Sequence, residues 1–330
     1  MNFATLLLPS TVDRTPSFDF LFDRPKPGFY NSAMTGSAPG YRNMDRFFIR
    51  LKAGESMILA EALQKHLRVD PGEAEQLLHQ GSVWDNERKI RLRDGGMTIS
   101  GQLLRVDRPR FPIREYVLRR EDIRFEDEQL LIVYKRGGAA AQPTPYSDID
   151  NLLHGVQKYY DGRRLRYRAA PVNRLDLPAQ GLVVFAKNKG TEVALHRLFQ
   201  ERRVRKRYLA ATAPFPGVRP SYVIRSELEW QGRRRGALTY VRFCRERNGR
   251  CFFLVLPQSG RTHQIRRHFQ EQVAPLLGDV RYGGAAPGGE LWLLCFQYVF
   301  PHPATGDRLS VRFIPPAWRE AMGLGEDVEG

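Results

Sequence analysis

Cysteine is scarce in this chain. Cys244, Cys251 and Cys295 are the three present in 330 residues. Their spacing fits no zinc pattern, and three thiols do not make a disulfide scaffold. They read as core residues in a reducing compartment. Long apolar runs are also missing. The longest, such as Cys251 to Leu256 and Leu291 to Phe296, fall far short of the roughly 20 residues a bilayer span needs. The opening MNFATLLLPS has no basic region and breaks at Pro9, unlike a signal peptide. There is no Walker loop and no glycine-rich dinucleotide fingerprint. Acidic residues are in deficit: 36 Asp plus Glu face 52 Lys plus Arg, for a formal net charge of +16. Such a balance suits a polyanion, nucleic acid first and an acidic membrane surface second. The expectation is a cytoplasmic protein with no cofactor and no metal.

With 42% hydrophobic residues the chain can bury substantial cores. Residues 1–44 are rich in Pro, Gly, Ser and Phe without periodicity, and read as an irregular extension with Phe18, Phe20 and Phe22 available for packing. Residues 45–108 read as a small module. Met57 to Leu67 is apolar at helical spacing. Asp70, Pro71 and Glu73 form a cap, a first-position proline and an acid three residues on, opening a second helix that stops at Gly81. A hairpin turning at Asp85-Asn86 follows, then a strand from Met97 to Val106. Pro109 and Pro112 mark a linker.

From 109 to 318 the pattern is strand-rich: Leu130 to Tyr134, Leu182 to Ala186, Tyr222 to Trp230, Ala237 to Phe243, Cys251 to Leu256, Leu291 to Tyr298 and Leu309 to Phe313. A helix is expected over Thr191 to Arg203. Mixed order, rather than strict strand–helix alternation, points to an α+β fold with much antiparallel pairing. Residues 319–330 read as an acidic tail.

Within AAPVNRLDLPAQGLVVFAK, Asp176 stands beside Arg174 at a polar break, just before an apolar strand. A turn on a rigid scaffold holds a carboxylate still, as a nucleophile or base requires. Arg-Leu-Asp alone is more often an ordinary turn. Three further segments change that reading: EDEQLLIVYKRGG from Glu126, RRVRKRYLAAT with Lys206 and Tyr208, and SGRTHQIRRHF followed by LLGDVRYGG. Together the four segments resemble the RluA-type pseudouridine synthase family. The family's glycine-arginine-threonine-histidine-glutamine-isoleucine-arginine signature stands at Gly260 to Arg266, and its later elements at Gly278, Asp279, Tyr282 and Gly283. The layout of residues 45–108 resembles the S-four-type RNA-binding module.

The resemblance implies a pseudouridine synthase fold, with a mixed, largely antiparallel central sheet flanked by helices, and an isomerase that acts on uridine in ribosomal or transfer RNA without cofactor or metal. It implies Asp176 as the catalytic carboxylate, Arg266 as its cationic partner and Tyr208 as the tyrosine that packs on the target base. Arg174 then fills the space a flipped-out base leaves. Lys206 and the Arg233, Arg234, Arg235 run are candidate phosphate contacts, weighed against an ordinary solvated face. His263 and His268 lack the glutamate of a zinc protease motif and read as structural. A monomer is expected. Departures from the family pattern stand at Asn173 (usually histidine), at Ala179 and Gln180 (usually a small hydroxyl pair) and at Arg136 (usually proline). They motivate a rival reading as a non-catalytic RNA-binding protein on a decayed synthase domain. A second rival is a nucleoside or glycoside hydrolase with Asp176 as nucleophile. That chemistry wants a second acid, for which Asp279 is the candidate.

Overall fold

The computed structural model describes residues 44–52, 54–230, 232–284 and 289–325. The extension expected over 1–44 lies outside them except for Met44, as do the last five residues of the acidic tail. The described residues fall in one compact unit with two separate apolar cores.

The smaller core belongs to β1 (Met44–Arg50), β2 (Ser56–Ile58), α1 (Leu59–Leu67), α2 (Pro71–His79), β3 (Val83–Asp85), β4 (Ile90–Arg91), β5 (Thr98–Ser100) and β6 (Leu103–Pro109). Asp70 Oδ1 accepts from the Glu73 amide at 2.8 Å with Pro71 next to it, so α2 starts where its cap chemistry requires. Leu59, Ala62 and Leu63 of α1 and Ala74, Leu77 and Leu78 of α2 bury their apolar sides against Val83, Leu104 and Val106. The sheet order is β1-β6-β3-β4, with β2 paired separately to β5. The single strand expected over 97–106 is therefore two. Gly101 takes φ +73°, which turns the chain so that β5 runs with β2 while β6 joins β1 and β3. β1 was not foreseen, although Phe47 and Ile49 alternate.

The larger core belongs to β7 (Ile123–Glu126), β8 (Leu130–Lys135), α3 (Leu152–Gly162), β9 (Ala170–Pro171), β10 (Gln180–Ala186), α4 (Lys189–Gln200), β11 (Arg205–Thr212), β12 (Ser221–Trp230), β13 (Arg233–Arg247), β14 (Arg250–Pro257), α5 (Gln264–Gln272), β15 (Leu293–Pro301), β16 (Arg308–Arg312) and α6 (Pro316–Met322). The strands form one ten-stranded sheet, ordered β12-β13-β14-β11-β15-β10-β8-β7, with β16 beside β15 and β9 beside β10. Only β10 and β15 pair in parallel among these strands. The α+β class and the largely antiparallel sheet agree with the sequence reading. β8 and β10 are buried along their whole length, which explains why both read as continuous apolar runs.

Two boundaries differ. The helix expected at Thr191 starts at Lys189, because Asn188 is the cap and accepts from the Thr191 amide at 2.9 Å. It ends at Gln200 rather than Arg203. The tail expected from 319 starts later: α6 carries the chain to Met322 and buries Trp318, Ala321 and Met322.

The two cores meet through polar contacts. Ser82 Oγ donates to the Tyr146 carbonyl at 2.7 Å, Trp84 Nε1 to the Pro145 carbonyl at 2.8 Å, and Arg93 pairs with Asp148 at 2.5 Å.

Candidate active site

Asp176 sits on the loop of residues 172–179, which folds back onto the strand it feeds. β9 pairs with β10, the Val172 amide donates to the Val184 carbonyl at 2.9 Å, and the Ala179 amide donates to the Asp176 carbonyl at 3.0 Å. Leu175 is buried, while the Asp176 side chain keeps 21% of its surface. A carboxylate is thus presented outward from the loop that leads into β10, a fully buried interior strand.

Lys135 braces this loop from below. It is buried, and its Nζ donates to the carbonyls of Leu177 (3.1 Å), Ala139 (2.7 Å) and Arg136 (3.0 Å). An ammonium has three protons, and all three are directed to the backbone. Burial lowers its pKa to about 7, with the Asp176 charge acting in the opposite sense.

Arg266, in the first turn of α5, joins two carboxylates. Its Nε and Nη2 grip Asp279 at 2.8 and 2.7 Å, and its Nη1 reaches Asp176 at 3.3 Å. The planar fork makes this possible; a lysine has a single nitrogen to share. Burial alone would disfavour the guanidinium charge, but the Asp279 bonds and the two carboxylates more than offset it and raise its pKa. Asp279 is fully buried and aimed at Arg266, so it is not placed as a second free acid. Gly278 before it takes φ +74°, where a Cβ would lie 1.7 Å from the Glu290 carbonyl oxygen. The glycine is a steric requirement.

His263 caps α5 in the left-handed region, at φ 55°. Its Nδ1 lies 2.9 Å from the Tyr282 hydroxyl and its Nε2 3.9 Å from Asp176. Burial lowers its pKa, and Asp176 opposes that shift. His268 is fully buried between the hydroxyls of Ser226 (2.8 Å) and Thr239 (2.9 Å).

Tyr208 projects from β11. Lys206 pairs with Tyr298, Arg207 with Gln297 and Tyr208 with Cys295, so β15 carries one extra residue, Phe296. That bulge brings both Tyr298 and Cys295 to the Tyr208 side of the sheet. Burial pushes the Tyr208 hydroxyl well above its ordinary value, with the Cys295 thiol and Asp176 adding to the rise. Burial raises Cys295 to about 11. Asn173 is held at both ends: Oδ1 accepts from the Val184 amide at 2.8 Å, and Nδ2 donates to the Tyr298 hydroxyl at 2.9 Å.

The structure thus brings Asp176 and Arg266 into contact and sets Tyr208 close enough to feel the Asp176 charge. Arg174 does not pair with Asp176. It is exposed, and its Nη2 lies 3.4 Å from Thr262 Oγ1. Lys206 is half-buried and turned inward, its Nζ 3.4 Å from the Ser259 carbonyl, with burial lowering its pKa. Arg233 and Arg234 are exposed at the start of β13, Arg234 lying 3.7 Å from Glu227, and Arg235 is half-buried. The bracing role of Lys135 and the Asn173–Tyr298 contact were not foreseen. The lysine stood in a matched motif, but only the fold shows which carbonyls it meets. A separate open pocket lies away from this site, lined in part by Asp45, Glu73, Arg108 and Arg110. Its charges already pair as Arg108–Glu73 and Arg110–Asp45.

Comparison with known proteins finds likeness over the larger core. Residues 129–271 match the family described as RNA pseudouridylate synthase. The ribosomal large subunit pseudouridine synthase C of Rickettsia prowazekii is 32% identical over 175 residues, covering 48% of this chain and 55% of that protein. The ribosomal large subunit pseudouridine synthase D of Neisseria meningitidis serogroup A is 28% identical over 213 residues, covering 57% and 56%. The dual-specificity RNA pseudouridine synthase RluA of Salmonella typhi is 27% identical over 209 residues, covering 58% and 91%. This chain thus spans little more than half the length of the ribosomal relatives. The solved structure of human RNA pseudouridylate synthase domain containing 1 superposes with a TM-score of 0.50 at 21% identity, over 61% of this chain and 85% of that one. The fold is that of a pseudouridine synthase domain. Over residues 129–271 the chain is similar to RluA-type pseudouridine synthases.

Proposed function

We propose that this protein is an RNA pseudouridine synthase that isomerises uridine in ribosomal RNA, with Asp176 as its catalytic carboxylate. The observation that carries the reading is the Asp176–Arg266–Asp279 arrangement. Asp279 satisfies two arms of the Arg266 guanidinium and leaves the third for Asp176. Asp176 is thereby oriented and partly open. It serves as nucleophile at the ribose or as base toward it. The N1–C1′ bond then breaks, the uracil turns and C5 bonds to C1′; the C5 proton leaves and N1 takes up a proton. Tyr208 packs on the base, and its protonated hydroxyl moves or holds a proton at that last step.

A uridine inside a helix must be extruded first. Arg174 is exposed at the rim and fits the vacated stack. Arg261 lies near enough to Arg202 and Arg235 for their charges to affect it, giving a basic rim for phosphates. The module of residues 45–108 is an S-four-like RNA-binding element in this reading, and Lys206 positions the Ser259 segment. The protein acts as a cytoplasmic monomer. Among the described residues no helix is long and apolar enough to cross a membrane.

The test is incubation of the purified protein with a large-subunit ribosomal RNA transcript carrying tritium at uridine C5. Tritium release with mapped pseudouridine supports the reading. Free uracil would favour the hydrolase, and tight binding without release would favour the non-catalytic rival.

A further inference from the structure

The opposite face of the central sheet carries a second basic cluster. Side chains alternate along β11, so Arg205 and Arg207 point away from Lys206 and Tyr208. The register continues the row: Arg207 lies across from Gln297, and Gln297 from Arg312, while Arg205 meets Val299 and Arg308 meets Pro301. Four arginines therefore share one face of β11, β15 and β16. Arg205, Arg308 and Arg312 are exposed and Arg207 is half-buried. Gln297 ties the row together, accepting from Arg207 Nη1 at 3.2 Å and donating to Ser310 Oγ at 3.0 Å. Among the described residues no carboxylate oxygen lies within 4.0 Å of any of the four. Arginines elsewhere, such as Arg88, Arg119 and Arg197, do have such partners.

Like charges on neighbouring strands repel. The guanidinium of Arg207 is disfavoured first by burial and then by Arg205, Arg308 and Arg312. A cluster so arranged calls for an external anion. Strand spacing puts Arg207 and Arg312 about 9 to 10 Å apart, and Arg308 about 13 Å from Arg312 along its strand. A surface of that extent spans several phosphates and exceeds a single small anion.

We propose that Arg205, Arg207, Arg308 and Arg312 form a second RNA-backbone site on the sheet face turned away from Asp176. It rests on the RNA-modifying reading above and narrows the substrate class. An RNA that occupies both faces must pass around the domain, so the substrate is an extended folded RNA rather than a stem-loop confined to the cleft.

The experiment compares wild type with Arg205→Gln/Arg308→Gln/Arg312→Gln in binding a large-subunit ribosomal RNA transcript and an isolated short stem-loop cut from it. A control carries Arg110→Gln/Arg119→Gln/Arg197→Gln, with equal charge loss at paired arginines. The triple variant is expected to bind the long RNA about 10- to 100-fold more weakly, with a salt slope lower by about 2 to 3. Its affinity for the stem-loop stays near wild type. Unchanged affinity and slope on long RNA would overturn the proposal and give the face to another partner. Equal losses on both RNAs, or an equal loss in the control, would also overturn it. Failure of the wild type to form pseudouridine would strike the functional reading alone, since binding judges this face independently.

Discussion

Replacing Asp176 with asparagine separates chemistry from stability at this site. The side chain is one-fifth exposed and accepts a 3.3 Å hydrogen bond from Arg266, with His263 Nε2 3.9 Å away. Asparagine keeps its shape, and its Oδ1 still accepts from Nη1. Arg266 retains both bonds to Asp279. The folded state should therefore lose about 1 kcal/mol or less, the scale of a partly exposed ion pair. An amide is neither nucleophile nor base, so turnover should fall by about 10⁴-fold or more, roughly 5 kcal/mol in the barrier. Asp279→Asn should show the reverse weighting. It leaves a buried guanidinium with its main partner neutralised, which costs about 3 to 5 kcal/mol of stability. Tritium release at saturating RNA, filter binding and thermal unfolding would be measured on both variants. Turnover by Asp176→Asn within tenfold of wild type would refute the catalytic assignment. An Asp279→Asn protein melting with the wild type would refute the bracing role of Asp279.

Tyr208→Phe keeps the ring and removes a hydroxyl that burial holds protonated; turnover should drop about 10²- to 10⁴-fold with RNA affinity retained, and full activity would leave the residue a packing role only. Arg174→Ala removes an exposed side chain with one 3.4 Å contact. The variant should melt like wild type yet lose more activity on structured RNA than on an unpaired strand; equal losses on both would discard the flipping role. His268 has a pKa lowered from 6.5 to about 4, by burial first and Arg267 second. The unfolded chain takes this proton near 6.5 and the folded chain only near 4, so the stability it contributes is complete above 6.5 and is lost as pH falls toward 4, at most about 3 kcal/mol. The stability gap between wild type and His268→Gln should shrink over that window, and parallel pH curves would assign the acid sensitivity elsewhere.

The sequence carried the central strands because β8 and β10 are apolar throughout, and it carried α2 because cap, proline and acid coincide at Asp70, Pro71 and Glu73. β11 was not anticipated: RKRY carries three charges in four residues and has no local strand pattern. Its alternation appears only when Lys206 turns to the cleft and Arg205 and Arg207 turn to the opposite face. Asp176 and Arg266 were legible as motif members, and their contact spans 90 positions in the chain. Lys135 was hidden for the same reason. Its three acceptors are backbone carbonyls, which leave no trace in side-chain identity.

The departures from the family pattern bear on whether the site is intact. Decay would leave gaps or unpaired polar groups where a framework residue had been lost. The opposite is seen at each position. Asn173 has its acceptor met by Val184 and its donor by Tyr298, and because an amide N–H can only meet Oδ1, its orientation is fixed. Ala179 is buried without a hydroxyl to satisfy. Gln180 accepts from the Tyr134 hydroxyl at 2.8 Å, and Arg136 meets Asp122 at 3.1 Å. Each polar replacement has its own partner. Selection for a surface that merely holds RNA would not maintain buried hydrogen bonds around one carboxylate and one tyrosine. This supports a retuned catalytic loop over a decayed one.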